Sequence, residues 1–165
     1  MINAELQKAI DNLIVQDIYV RDQVASCYRD FDPKYSEEFD QLAIQYLHFV
    51  KQATVAELDD QRKLLQVLVR LGARWIDPGE KNEELSVRVM IEAEFIAEYQ
   101  MMTELEQSCI DEFALKNASY HIWPYWRELL NSQCARMHLP RLILPAVQLA
   151  QNRHQEVGAL EFSEA

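Results

Sequence analysis

The sequence has 165 residues, 27 acidic against 16 basic, for a formal charge of −11, and just under half of it is hydrophobic. That is enough to bury one core without disulfide or metal staples, and it is not the composition of a disordered tail. The charge disfavours nucleic acid and anionic membrane, where affinity comes from Lys and Arg releasing counterions, and no basic run offers a local exception.

Residues 1–12, with Glu5, Lys8 and Asp11, read as a helical-looking extension. They lack the basic start, apolar stretch and small-residue cleavage site of a signal peptide. Residues 13–28 and 40–55 are rich in aromatic and β-branched side chains, which predicts two strands. Between them, Phe31-Asp32-Pro33-Lys34-Tyr35 is a loop with unusually large side chains.

Residues 62–76 alternate, with Leu65, Val67, Val69 and Leu71 opposite Gln66, Leu68, Arg70 and Gly72. Asp77-Pro78-Gly79 supplies turn chemistry, and a charged loop leads into the next strand. Over 85–99 the alternation is nearly unbroken. Leu85, Val87, Val89, Ile91, Ala93, Phe95, Ala97 and Tyr99 fall on one face, and Ser86, Arg88, Met90, Glu92, Glu94, Ile96 and Glu98 on the other. A period of two over that length is a half-buried strand, and the two strands make a hairpin.

After Met102 the period changes. Thr103 with Glu106 three residues on has the form of a capping box, so a helix is expected to begin there. Leu105, Cys109 and Phe113, then Tyr120, Trp123, Trp126, Leu130, Cys134 and Met137, continue at helical spacing. Pro124 would clash with the carbonyl of Tyr120, so a kink or restart is expected near it. Pro140 and Pro145 bracket an extended connector, a short helix is expected over 146–157, and residues 158–165 read as a loose acidic tail. Four strands followed by one long kinked and one short helix make a single α+β domain.

The sequence is poor in catalytic signals. Three glycines, Gly72, Gly79 and Gly158, permit neither a dinucleotide fingerprint nor a P-loop. The four histidines are dispersed, and the thirteen-residue separation of His121 and Cys134 matches no metal-ligand spacing. Glu92, Glu94 and Glu98 share one strand face. Such carboxylates can divide acid and base work, which leaves a small hydrolase using Glu92 and Glu94 or His121 as one reading. A solvated sheet face gives the same pattern, and a surface docking a basic partner is the better functional reading. Neither a catalytic set, a metal nor a cofactor is therefore expected. Cys27, Cys109 and Cys134 form no CxxC pair, as suits free thiols in a reducing cytoplasm, and no apolar run is long enough to span a bilayer.

The most unusual local feature is the aromatic cluster Tyr120, Trp123, Tyr125 and Trp126. Part of it must pack helix to sheet, but successive positions cannot all face one core. With Phe31, Tyr35 and Trp75 these residues could line an apolar groove.

Ser119-Tyr120-His121-Ile122-Trp123-Pro124-Tyr125-Trp126-Arg127-Glu128 resembles the helix motif of the SecB export-chaperone family, aromatic-Pro-Tyr-x-Arg-Glu. Leu139-Pro140-Arg141-Leu142-Ile143-Leu144-Pro145-Ala146-Val147 resembles that family's Pro-x-Leu-x-Leu-x-Pro-Val connector. The resemblance covers about residues 13–157 and implies a four-stranded antiparallel sheet backed by a long and a short helix. It also implies a homotetramer built as a dimer of dimers, binding unfolded chains without nucleotide. By the same resemblance the client groove takes in the loop from Phe31 through Tyr35 to Phe39, the long helix, and Leu149 on the short one.

The sequence departs from export members in its N-terminal extension, its Gly72-Ala73-Arg74-Trp75 strand end, its Trp123/Trp126 helix, and Phe95-Ile96 in place of a glycine pair. In these it is similar to the divergent SecB-like chaperones encoded with toxin–antitoxin pairs, so the implied client is an antitoxin. Delivery of preproteins to SecA through the acidic face is the alternative.

Overall fold

The computed structural model describes residues 3–144 and 160–163. Strands β1 (Leu13–Cys27), β2 (Ala43–Glu57), β3 (Lys63–Ile76) and β4 (Val87–Met101) form an antiparallel sheet in the order β1-β4-β3-β2. β2, β3 and β4 follow one another as a meander, while β1 reaches its place beside β4 by a long crossover, a Greek-key connection. The predicted strands lie within a few residues of those observed. β4 begins at Val87 rather than 85 because Glu83–Ser86 winds into a single turn, α2, capped by the Asn82 side chain on the Leu85 amide at 3.2 Å.

Alternation places the two faces as the sequence implies. Val67, Val69, Leu71 and Ala73 of β3 lie in register with Ala97, Phe95, Ala93 and Ile91 of β4, and all eight are buried. Each of the larger ones contributes roughly 1.5–3 kcal/mol by leaving water. This face is closed by a helix running from Gln107 to Arg136, made of α3 (Gln107–Phe113), a π turn (Ala114–Ala118) and α4 (Ser119–Arg136).

The π turn keeps the helix in phase with the sheet. Cys109 and Phe113 are buried at a spacing of four, and Ala118, Ile122, Trp126, Leu130 and Cys134 repeat that spacing. The step from Phe113 to Ala118 is five, the extra residue that a π turn absorbs. The irregularity thus lies before Pro124, and α4 continues through the proline without a restart.

The expected capping box does not form. The helix starts at Gln107, with extended Glu106 as its N-cap and no side-chain cap bond. Glu106 is engaged instead by Lys8 at 2.8 Å and by the Cys109 thiol at 3.3 Å. Lys8 belongs to α1 (Ala4–Asn12), the extension read from the sequence, which buries Leu6 and Ala9; Asn3 ties it to Glu112 at 3.0 Å.

At its far end the helix closes with a Schellman-type turn. His138 is left-handed (φ 56°), and the Leu139 amide donates to the Cys134 carbonyl at 2.9 Å. The connector then buries Leu139, Leu142 and Leu144 and leaves Ile143 81% exposed. The short helix expected over 146–157, and with it Leu149, lies outside the described residues. Within the stretch expected to be loose, β5 (Leu160–Ser163) pairs antiparallel with Gln45–His48 of β2, adding a short fifth strand.

Candidate client-binding surface

The crossover between β1 and β2 is held by local chemistry. Asp32 accepts from the Lys34 amide at 3.0 Å, and its carbonyl takes the Tyr35 and Ser36 amides, an Asx-type turn around Pro33. Phe31 and Phe39 meet edge to face at 5.6 Å and pack onto the core, closing the loop on itself. Two arginines fasten it to the sheet end. Arg29, left-handed at φ 55°, donates to the carbonyls of Leu85 and Val87, and Arg88 binds Asp77 at 3.1 Å with Glu38 at 3.9 Å.

The result is a rigid base with an exposed apolar tip. Tyr35 is 74% exposed, with the Lys34 ammonium 5.2 Å from its ring centre. Phe31, Tyr35, Tyr28 and Arg88 line an open cavity of about 400 Å³. The structure thus brings Phe31, Tyr35 and Phe39 into one loop.

The other predicted groove residues separate. Trp126, 1% exposed, and Trp75 belong to the core and not to an open surface. Trp75 lies opposite Ile44 on β2, and Trp126 is one of the four-spaced residues against the sheet. Trp123 is half-buried, its ring 6.1 Å from that of His48. Tyr120 and Tyr125 are exposed, but five residues apart they point in different directions around α4.

The histidines have structural surroundings. His121 accepts or donates at 2.9 Å with the Tyr99 hydroxyl beside Phe113; burial lowers its pKa and pushes the Tyr99 phenol well up. His48 Nε2 and Ser119 Oγ form a buried 2.6 Å bond that joins β2 to the first residue of α4. No sequence pattern signals that pair, since its members are 71 residues apart. Among the described residues no three His, Cys, Asp or Glu side chains converge as a metal site.

The acidic stripe is largely consumed by ion pairs. Glu94 is 3% exposed and is held by Lys51 at 2.5 Å, Arg70 at 3.0 Å and Arg21 at 3.0 Å. Lys51, with the two arginines, keeps its carboxyl at about 2 against the ordinary 4.5. Glu92 takes two bonds from Arg70, and Glu98 accepts from Gln66 at 2.8 Å. The sequence marked the acids of this face but not the bases that face them from β1, β2 and β3.

No protein-family model matches the sequence, and no curated protein matches it. Among solved structures, the Mycobacterium tuberculosis Rv1957 SecB-like chaperone, in complex with a ChAD peptide from the Rv1956 HigA1 antitoxin, matches with a TM-score of 0.65. The match covers 88% of this chain and 98% of that one at 17% identity. The fold is SecB-like. The aromatic-Pro-Tyr segment lies within α4, and the described part of the connector, Leu139 to Leu144, buries three leucines beyond it.

Proposed function

We propose that this chain is an ATP-independent holdase that binds non-native polypeptide, and that its dedicated client is the antitoxin of a toxin–antitoxin pair. The observation that carries the reading is the likeness, over 88% of this chain and 98% of the other, to a SecB-like chaperone solved with an antitoxin peptide. The distribution of apolar surface supports it. Tyr35, Tyr120, Tyr125 and Ile143 are large, exposed and carried on ordered backbone, which suits capture of extended apolar segments. Binding the non-native state needs no nucleotide, because the client's own folding equilibrium is what is shifted. The protein works in the cytoplasm, where its thiols stay reduced.

The working unit is a homo-oligomer, with a tetramer built as a dimer of dimers as the implied form. Support comes from β1, an edge strand that leaves Ile14, Val15, Tyr19 and Val20 exposed, a hazard to a monomer unless a second copy covers it. Docking to SecA through Glu92, Glu94 and Glu98 finds less support, since two of these carboxylates are neutralised by arginine and lysine.

The test is purification from native cells followed by peptide mapping of the material that copurifies. One antitoxin bound through a short segment supports the dedicated reading. A broad set of secretory precursors together with SecA would replace it with export. In parallel, the purified protein should suppress aggregation of a chemically unfolded protein at stoichiometric ratio without ATP.

A further inference from the structure

The second edge of the sheet points to how an extended client is held. β2 is bonded to β3 along its whole length, but on its other side only Gln45–His48 carries a partner among the described residues, the four residues of β5. Gln52–Glu57 continues that edge past a register shift between Val50 and Gln52. An edge rich in aromatic and β-branched residues is a ready template for another strand. Main-chain bonds at such an edge select for extended conformation and ask little of sequence.

We propose, on top of the holdase reading, that the β2 edge at Gln45–His48 is a strand-acceptor site for the client, and that the chain's own Leu160–Ser163 occupies it as a competing placeholder. The tail's sequence describes the replacement. Leu160 and Phe162 hold the register positions opposite His48 and Tyr46, and Glu161 and Ser163 alternate with them. The matching client segment is extended, antiparallel to β2, and apolar at every second residue.

A four-residue strand is short enough to leave, yet as part of the same chain it competes at an effective concentration on the order of millimolar. It therefore shields the edge when no client is present and gives way to one that pairs over a longer stretch. A tail that fills the edge for about two-thirds to nine-tenths of the time lowers apparent client affinity about three- to tenfold.

The experiment compares the full chain with a chain ending at residue 159 and with Glu161→Pro, which disfavours strand pairing without shortening the protein. Probes are a reduced, carboxymethylated unfolded protein and a labelled synthetic peptide copying residues 155–165. Both altered proteins should bind each probe three- to tenfold more tightly than the parent. The unlabelled peptide should displace the unfolded protein, with hydrogen-exchange protection returning at Gln45–His48. Equal affinity for all three proteins, or weaker binding once the tail is removed, overturns the placeholder. If none of the three binds the unfolded protein, the holdase reading itself has failed; if all bind it equally, only the edge assignment has.

Discussion

Trp126 and Tyr35 both read from sequence as groove residues, and the structure gives them opposite fates that can be measured side by side. Trp126 is 1% exposed, so truncation to Ala empties a full indole from between helix and sheet. The loss of transfer free energy plus the cavity left behind is about 3–5 kcal/mol. For a chain of this length that corresponds to a fall in Tm of roughly 6–20 °C. Tyr35 is 74% exposed and contributes little beyond its contact with Lys34, so Tyr35→Ala should change stability by less than about 0.5 kcal/mol. The assays are urea denaturation and, well below both melting temperatures, suppression of client aggregation. Tyr35→Ala should hold client less well at unchanged stability. Trp126→Ala should lose stability first, and lose holding only as its folded fraction declines. An unaltered denaturation midpoint for Trp126→Ala would refute the packing argument. Parental holding by a well-folded Tyr35→Ala would refute the loop as a contact surface.

The remaining predictions concern the frame. Glu94 has a folded value near 2, below the 4.5 of an ordinary glutamate, because Lys51, Arg70 and Arg21 favour its charged form. Its contribution, on the order of 1–2 kcal/mol after screening of its partly exposed partners, is complete above pH 4.5 and drains away as pH falls toward 2. The stability gap between parent and Glu94→Gln should therefore narrow across that window; a gap that is constant with pH would contradict the ion cluster. His138 sits at φ 56°, so His138→Gly should raise stability by about 1 kcal/mol in thermal or urea unfolding. Tyr19→Lys with Val20→Lys should lower the mass seen by analytical ultracentrifugation if the β1 edge joins copies, and leave it unchanged if it does not. A Cβ at Gly72 would lie 2.8 Å from Glu92 Cγ, so Gly72→Ala should displace Glu92 from Arg70 and cost about 1–3 kcal/mol. Repeating it in a Glu92→Ala background should recover most of that loss, as a double-mutant cycle would report.

Strands were the most legible part of this fold, because one face of β3 and β4 is dry and the period of two survives intact. The long helix was legible in existence but not in its details. Thr103 and Glu106 match a capping box, yet Lys8 from the distant α1 competes for the glutamate and wins. Pro124 advertised a break, but the register correction comes from Ala114–Ala118, whose sequence carries no breaker. The crossover was legible as a turn of large side chains at Phe31, Tyr35 and Phe39, but not that Phe31 and Phe39 pack onto the core while Tyr35 stays exposed. The groove was misread at Trp75 and Trp126, since an aromatic residue at helical or strand spacing looks the same whether it lines a groove or a core. The pairing of Leu160–Ser163 with Gln45–His48 gave no signal at all, because which strands become neighbours is a property of topology and not of composition.

Where a binding function can reside follows from how the two faces of the sheet are spent. One face is closed by the Gln107–Arg136 helix, and its residues are inaccessible without unfolding. The other is crossed by a lattice in which Arg70 bridges Glu92 and Glu94, while Arg21 and Lys51 complete the cage around Glu94. Its acids are already paired within the sheet, Glu94 with three cations, so this face is poorly suited to exchanging its partners for those of a docking protein. What remains is the rim: the crossover loop with Tyr35 at its tip, the exposed aromatics of α4, and the outer edges of β1 and β2. These are a loop, a helix face and strand edges, elements that an extended chain can touch in succession.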